Sequence, residues 1–284
     1  MRTSEGLGHG NIDPHPGPAT DGHAAGPEAP ARAAADAPVA PVAPAGFSSP
    51  STAEQGRGST LDRRLYLNFR LFTACPDTTE SAAALPTVML DHPGTGAVVY
   101  QDWHDPRGIA LLAFGECPAA LQNLQHAVDH HEKWECLEPR YDRCLGGRSY
   151  SLGYETDLPE TLLHKPVRRL QDLQRRWAIW YPLRRSGAFA RLPQEQQREI
   201  LAEHGGIGRA WGEAGLAQDV RLACHGLDIN DNDFVIGLVG ESLTPLSKLV
   251  QAMRGTVQTS TYLESIGPFF VGHALYQSQL KLEG

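Results

Sequence analysis

The distribution of apolar positions divides the chain near residue 60. Residues 1–60 consist mainly of Ala, Pro, Gly, Ser and scattered charges, with almost no large aliphatic or aromatic side chain before Phe47. Such a segment cannot bury enough apolar surface to offset the entropy lost when it becomes ordered. We therefore predict a disordered extension over residues 1–60 and a folded part that begins near Leu61.

From residue 61 onward, the hydrophobic pattern predicts two similar series of strands and helices. In the first half, residues 61–168, it predicts strands at 65–72, 96–100, 108–114 and 148–154 and one helix from Pro118 to Trp134. In the second half, residues 169–280, it predicts strands at 177–183, 220–224, 234–239 and 269–271 and helices at 193–205 and 244–255. The repeated plan predicts an α+β protein, in which two duplicated ferredoxin-like units form one alpha+beta barrel.

Composition and charge exclude several classes of protein. No run approaches the roughly 20 apolar residues that span a bilayer, so we expect a soluble, cytoplasmic protein with no membrane span. The net charge is -8 and the basic residues form no aromatic-interleaved patch, which argues against nucleic acid as a partner. The 5 cysteines include no Cys-x-x-Cys pair, which argues against a disulfide framework and a zinc ribbon.

Four segments of the second half occur in a characteristic order. They are WAIWYPLRR at 177–185, EILAEHGGIGR at 199–209, Met253-Arg254, and GPFFVG at 267–272. This series resembles the chlorite dismutase family, including its coproheme decarboxylase branch. The resemblance implies the same duplicated barrel, a haem cofactor and a homopentamer.

His204 is the candidate metal ligand. It is predicted to end its helix, and Gly205-Gly206 are expected to stop the helix and let a planar ligand approach the backbone. On the residues alone, a lone histidine at a helix end is weak evidence for a metal, because the helix dipole also favours it there. The resemblance implies that His204 binds the iron of haem b or coproheme III.

Other cofactor contacts follow from the same resemblance. Arg254 matches a family arginine that faces the haem propionates, and a guanidinium can bind a carboxylate through two hydrogen bonds. Arg185 is a second candidate for a propionate, and Trp180 is a candidate for the pocket wall. Each also fits an ordinary role, as a solvated charge or a core aromatic residue.

The resemblance implies a redox-active tyrosine, but two registers place it differently. Coproheme decarboxylases use a tyrosine that the oxidised haem converts to a radical, and they consume peroxide. When Glu155 is the anchor, the position falls on Tyr150. When Leu137-Glu-Pro139 is the anchor, it falls on Arg143, with Tyr141 nearby.

The sequence also leaves undecided which residue occupies the distal position of the family. Depending on the gaps, it falls on Ala217, Asp219, Arg221 or Leu222, and only Arg221 supplies a guanidinium that could stabilise an oxyanion. His225 follows on the same predicted strand, where an imidazole could accept a proton from peroxide.

A second hypothesis uses a histidine cluster in the first half. His126, His130 and His131 are predicted to lie on one helix, and a spacing of four residues can chelate a transition metal such as copper or iron. A solvated, charged helix face explains the same pattern.

The sequence therefore favours a haem-dependent oxidoreductase. The resemblance implies either a coproheme decarboxylase, which removes carboxyl groups from coproheme propionates with peroxide, or a divergent haem peroxidase. The expected partners are a small-molecule substrate or porphyrin and hydrogen peroxide or oxygen, in a homo-oligomer. The alternatives are a non-haem copper or iron oxidase of a small molecule, and a binding protein without catalytic activity.

Overall fold

A computed structural model describes residues 51–282. Most of the predicted disordered extension, residues 1–50, lies outside the described residues. Residues 51–61 are folded, since strands β1 (Glu54–Gln55) and β2 (Thr60–Leu61) pair in antiparallel fashion. The folded part therefore includes residues before the predicted boundary at Leu61.

The remaining ten strands form one antiparallel sheet, and seven helices accompany it within residues 51–282. The strands are β3 (Tyr66–Thr73), β4 (Thr95–Asp102), β5 (Ile109–Gly115), β6 (Glu138–Pro139), β7 (Leu145–Arg148), β8 (Trp177–Arg185), β9 (Gln218–Ala223), β10 (Phe234–Gly240), β11 (Leu263–Ile266) and β12 (Phe270–Gln277). The described helices are α1 (Thr78–Leu90), α2 (Pro118–Asp129), α3 (Lys165–Leu170), α4 (Gly187–Ala190), α5 (Gln194–Glu213), α6 (Leu243–Arg254) and α7 (Val257–Tyr262).

The chain order shows two copies of one unit. The first is β3-α1-β4-β5-α2-β7, and the second is β8-α5-β9-β10-α6-β12. Their strands lie in the orders β7-β3-β5-β4 and β12-β8-β10-β9, and the units join where β4 pairs with β12 and β7 meets β9. The eight strands close into a barrel, so the predicted duplicated ferredoxin-like architecture is confirmed.

Side chains fill the barrel and cover its outer faces unequally. The interior contains Phe69, Trp180 and Phe270, and the helical segment 160–170 packs against this core. On the first unit, α1 and α2 cover the outer face of the sheet. On the second unit, α5 and α6 lie over an outer face whose side chains are in part only half-buried.

Several element boundaries differ from the predictions. Helix α5 does not end at Gly205-Gly206 but continues to Glu213, because Ile207 and Trp211 pack against the second unit's outer face. That packing offsets a cost of about 1 kcal/mol for each glycine inside a helix. Strand β7 ends at Arg148, so the predicted strand 148–154 is mostly loop.

In the first unit, α2 ends at Asp129 rather than reaching Trp134. The segments α1 and 160–170 were not predicted from the sequence, and α3 crosses the predicted boundary between residues 168 and 169. Across residues 51–282, no helix has both the length and the apolar character required to cross a membrane.

Candidate functional site

A cavity of about 490 Å³ lies between the helices and the sheet of the second unit. Neighbouring strands present Tyr181, Ile236 and Arg221 at paired positions of β8, β10 and β9, so these side chains share the outer face of the sheet. Further apolar walls come from α6 and β11: Leu249, Val250, Met253, Leu263 and Ile266. The cavity has the size of a small-molecule site, and its lining combines apolar side chains with charged and polar ones.

His204 lines this cavity from the middle of α5. Its Nδ1 atom lies 3.2 Å from the hydroxyl oxygen of Thr256, and that hydroxyl donates its hydrogen to the carbonyl of Met253 at 2.8 Å. The Thr256 oxygen is therefore available as an acceptor, and we assign the proton of the neutral imidazole to Nδ1. Nε2 then carries the free lone pair, which is the state needed to bind a metal.

The electrostatic surroundings favour the neutral form of His204. Burial lowers the pKa of its imidazole, and the positive charges of Arg185 and Arg221 lower it further. A neutral histidine is the form that donates to a metal, so the environment favours the ligand state.

The backbone of α5 is open to the cavity beside His204. Gly205, Gly208 and Gly212 all line it, at positions that recur on one helix face. No atom lies within 4 Å of a Cβ built on Gly205, and the nearest atom to one on Gly208 is Met253 Cε at 3.4 Å. A flat ligand can therefore approach this helix more closely than side chains would allow.

The sheet wall carries an ionic cluster around Asp219. Its carboxylate lies 2.8 Å from Arg169 Nη1 and 3.1 Å from Arg221 Nε. Burial opposes ionisation of Asp219, but Arg221, Arg169 and Lys165 outweigh it, so the pKa of this carboxyl is lowered. Burial lowers the pKa of the adjacent Lys165, and Arg169 adds to this effect.

Two more arginines line the cavity from the helices. They are Arg209 on α5 and Arg254 at the end of α6. The Arg254 guanidinium lies 6.0 Å from the Phe269 ring, and among residues 51–282 neither arginine has a carboxylate within 4.0 Å. Their charges are therefore available to an anionic group.

The structure brings together several of the candidates from the sequence. His204, Arg221 and Arg254 all line the cavity. Of the open distal positions, Ala217 and Asp219 also line it, whereas Leu222 is buried among the interior side chains of the barrel. Because successive side chains of a strand point to opposite faces, Leu222 of β9 faces the barrel interior and is no longer a candidate for the distal position.

Trp180 and Arg185 were expected at the cofactor, and neither side chain lines the cavity. Trp180 is completely buried inside the barrel, with its ring 6.1 Å from the ring of Phe69, rather than in the cavity wall. The Arg185 guanidinium stacks over Phe189 and Phe234, at 4.5 Å and 4.7 Å from their ring centroids.

Tyr150 and His225 also lie outside the cavity lining. The Tyr150 ring is 5.5 Å from Phe234, and burial raises its pKa while Arg221 and Arg185 oppose the rise. The His225 side chain is 59% exposed, with Nδ1 3.4 Å from Asp233 Oδ1. Tyr154 lines the cavity instead, in the loop after β7, and sequence reasoning missed it.

The alternative register, which places the tyrosine position at Arg143, points to a different cavity. Arg143 lines a separate cavity of about 300 Å³, together with interior side chains such as Phe69 and Phe270, and Tyr141 is exposed. Sequence reasoning also missed Lys165 and Arg169, because the helix that carries them was not recognised.

The histidine cluster does not gather three ligands. The His126 and His130 rings are 4.1 Å apart, but His130 Nδ1 contacts the carbonyl of His126 at 2.8 Å. His131 lies beyond the end of α2, where its Nδ1 accepts a hydrogen bond from the Lys133 amide. In the part of the chain that the structure describes, no group of three His, Cys, Asp or Glu side chains is placed to hold a metal ion.

Comparison with known proteins identifies the family. The chlorite dismutase family model matches residues 104–275, more than half of the chain. A mutant chlorite dismutase from Candidatus Nitrospira defluvii in complex with cyanide superposes with a TM-score of 0.60 at 19% identity, covering 75% of this chain and 92% of that one. A haem-binding protein from Thermus thermophilus gives a TM-score of 0.59 at 20% identity, covering 75% of this chain and 91% of that one. The protein therefore belongs to the chlorite dismutase family.

Proposed function

We propose that the cavity binds a haem-type porphyrin, and that His204 is the residue that would hold its iron. The observation that carries the proposal is the contact between His204 Nδ1 and Thr256, which leaves Nε2 free at the cavity. The glycines of α5 leave room for a flat ring system, and the apolar side chains match the ring's hydrophobic surface. Haem-binding relatives of the same fold support this choice of ligand.

The cations around the cavity indicate which porphyrin it prefers. Arg209, Arg254 and Lys165 have no carboxylate within 4.0 Å among residues 51–282, so they can bind propionates. Coproheme carries more propionates than haem b and gains more from a wall with several cations. We therefore favour coproheme III as the bound porphyrin over haem b.

The proposed reaction is the peroxide-driven decarboxylation of coproheme propionates, as in the coproheme decarboxylase branch. Each propionate side chain that reacts loses CO₂, one proton and two electrons to become a vinyl group, and the two electrons reduce one hydrogen peroxide to two waters. The bound haem supplies the redox chemistry with peroxide.

The chain's own residues bind and orient the reactants. Arg221, held in place by Asp219, presents a guanidinium that can stabilise negative charge on an oxidant. Tyr154 and Tyr181 are the tyrosines that line the cavity, so a tyrosine that passes electrons to the porphyrin is expected there rather than at Tyr150.

Absorption spectra test the proposal directly. Purified protein would be mixed separately with ferric coproheme and ferric haem b, and the Soret band compared between wild type and His204→Ala. A band that depends on His204 supports the proposal, and His126→Ala serves as the matched control that should leave it unchanged. Wild-type protein that binds neither porphyrin would contradict it.

A second assay addresses the reaction itself. Hydrogen peroxide would be added to the coproheme complex, and the porphyrin products separated by chromatography and identified by mass spectrometry. Loss of CO₂ from the propionates supports decarboxylation. Bleaching of the porphyrin with no decarboxylated product would rule it out and leave haem peroxidase activity to be assayed with an external reductant.

A further inference from the structure

The first described residues form a strap along the loop that follows β7, and part of this loop lines the cavity. We define the strap as residues 51–57, which include β1. The Glu54 carboxylate lies 2.5 Å from Arg148 Nη1 at the end of β7 and accepts a hydrogen bond from the Ser151 amide at 3.0 Å. Its side chain is only 13% exposed. Glu54 therefore joins the strap to the start of the loop that follows β7.

Backbone contacts extend this connection along the loop. The Ser151 hydroxyl donates to the carbonyl of Gln55 at 2.6 Å, and the Arg57 amide donates to the carbonyl of Glu155 at 2.7 Å. A Cβ built on Gly56 would lie only 2.7 Å from that same carbonyl oxygen. The strap is therefore packed directly on the backbone of residue 155.

The far end of the loop reaches the cavity. Tyr154 and Glu155 both line it, and the Glu155 carboxylate accepts hydrogen bonds from the amides of Leu152 and Tyr154 at 3.0 Å and 3.1 Å. These two hydrogen bonds partly offset the negative charge of the Glu155 carboxylate, which lies beside the cations of the cavity. Tyr154 is 57% exposed, so few contacts apart from the loop itself hold it in place.

We propose that Glu54 is a positioning residue, which through the strap fixes the Tyr154–Glu155 wall of the cavity. The positioning follows from the contacts alone. The consequence for ligand retention rests on the proposed function, because it takes the ligand to be a porphyrin with carboxylate side chains. A loop released from the strap would leave that side of the cavity open, and the porphyrin would dissociate faster.

The first test uses full-length protein without porphyrin. Chymotrypsin cleaves after exposed aromatic residues, and its rate at Tyr154 reports how often the loop opens. We expect about a tenfold increase for Glu54→Ala, since this variant removes hydrogen bonds to a charged group. Gly56→Ala should act in the same direction without altering charge. Glu80→Ala removes an exposed ion pair with Lys133 on the first unit and is the matched control.

The second test measures dissociation of ferric coproheme into an excess of a haem-scavenging globin. Glu54→Ala and Gly56→Ala should release it about tenfold faster than wild type, and Glu80→Ala at the wild-type rate. Unchanged cleavage at Tyr154 would overturn the positioning role. Faster cleavage with unchanged release would overturn the effect on retention. Wild-type protein without porphyrin binding would contradict the proposed function, while the cleavage result would still decide the role of Glu54.

Discussion

The Nδ1 atom of His204 and the hydroxyl oxygen of Thr256 lie 3.2 Å apart, although 52 residues separate them in sequence. Thr256 is 1% exposed and caps α7 by accepting from the Thr259 amide. One hydroxyl thus stabilises a helix end and orients the candidate iron ligand on another helix. A neutral acceptor at this position favours the neutral imidazole, because it does not stabilise the protonated imidazolium as a carboxylate would.

Replacing Thr256 by Val should weaken porphyrin binding by about ten- to a hundredfold, since partners of metal-bound histidines contribute on that scale. Thr256→Ser keeps the hydroxyl and should restore the affinity and the wild-type Soret position. Spectral titration with ferric coproheme measures both variants. Equal affinities for the Val and Ser variants would show that the hydroxyl has no part in positioning His204.

The lowered pKa of His204 predicts how stability depends on pH. Its folded-state pKa lies below the ordinary 6.5, so the unfolded chain binds this proton more tightly than the native protein does. The free energy of unfolding should therefore fall as pH drops below about 6.5, by an amount that His204→Gln removes. Urea denaturation at a series of pH values measures this contribution.

Two substitutions should shift the His204 pKa in opposite directions. Arg221→Gln removes a positive charge and should raise it, while Asp219→Asn removes a negative charge and should lower it further. NMR titration of the histidine ring protons in porphyrin-free protein gives the values directly. Shifts of the same sign would contradict the electrostatic account of the site.

The glycines of α5 allow a test in which the cavity is filled. Gly205→Ala should raise the free energy of unfolding by about 0.5–1 kcal/mol, because alanine loses less backbone entropy in a helix and the site has room for a Cβ. Gly205→Phe should keep the fold but block the porphyrin. Gly206→Phe is the matched control, since Gly206 also has open space yet does not line the cavity.

Trp180 should behave as a core residue rather than a ligand contact. Trp180→Ala should lower the free energy of unfolding by about 3–5 kcal/mol, the usual range for a deleted core aromatic ring. Gly237→Ala should also destabilise the barrel, because the added Cβ would lie 2.4 Å from the Trp180 ring. Thermal denaturation followed by circular dichroism compares them with wild type.

The sequence predicted the order of most strands and three of the cavity residues. It could not decide between the barrel interior and the cavity wall for Trp180, because most of β8 is buried on both faces and no alternation of polar residues shows which side chains point inward. Local glycine propensity wrongly predicted the end of α5, where tertiary packing is decisive. Tyr154 was missed because the loop after β7 reads as a strand in the sequence, and this loop contacts Glu54, almost 100 residues earlier in the chain.

The two joints of the barrel are unequal. Five residue pairs connect β4 to β12, whereas Arg148 and Ala223 are the one pair that connects β7 to β9 among the described residues. The joint between β7 and β9 is therefore the weaker of the two, and the ion pair with Glu54 fixes Arg148 only on the β7 side of it. Amide hydrogen exchange should be faster at the β7–β9 joint than at the β4–β12 joint. The duplicated fold would then open along one edge, beside the cavity, while its first half stays intact.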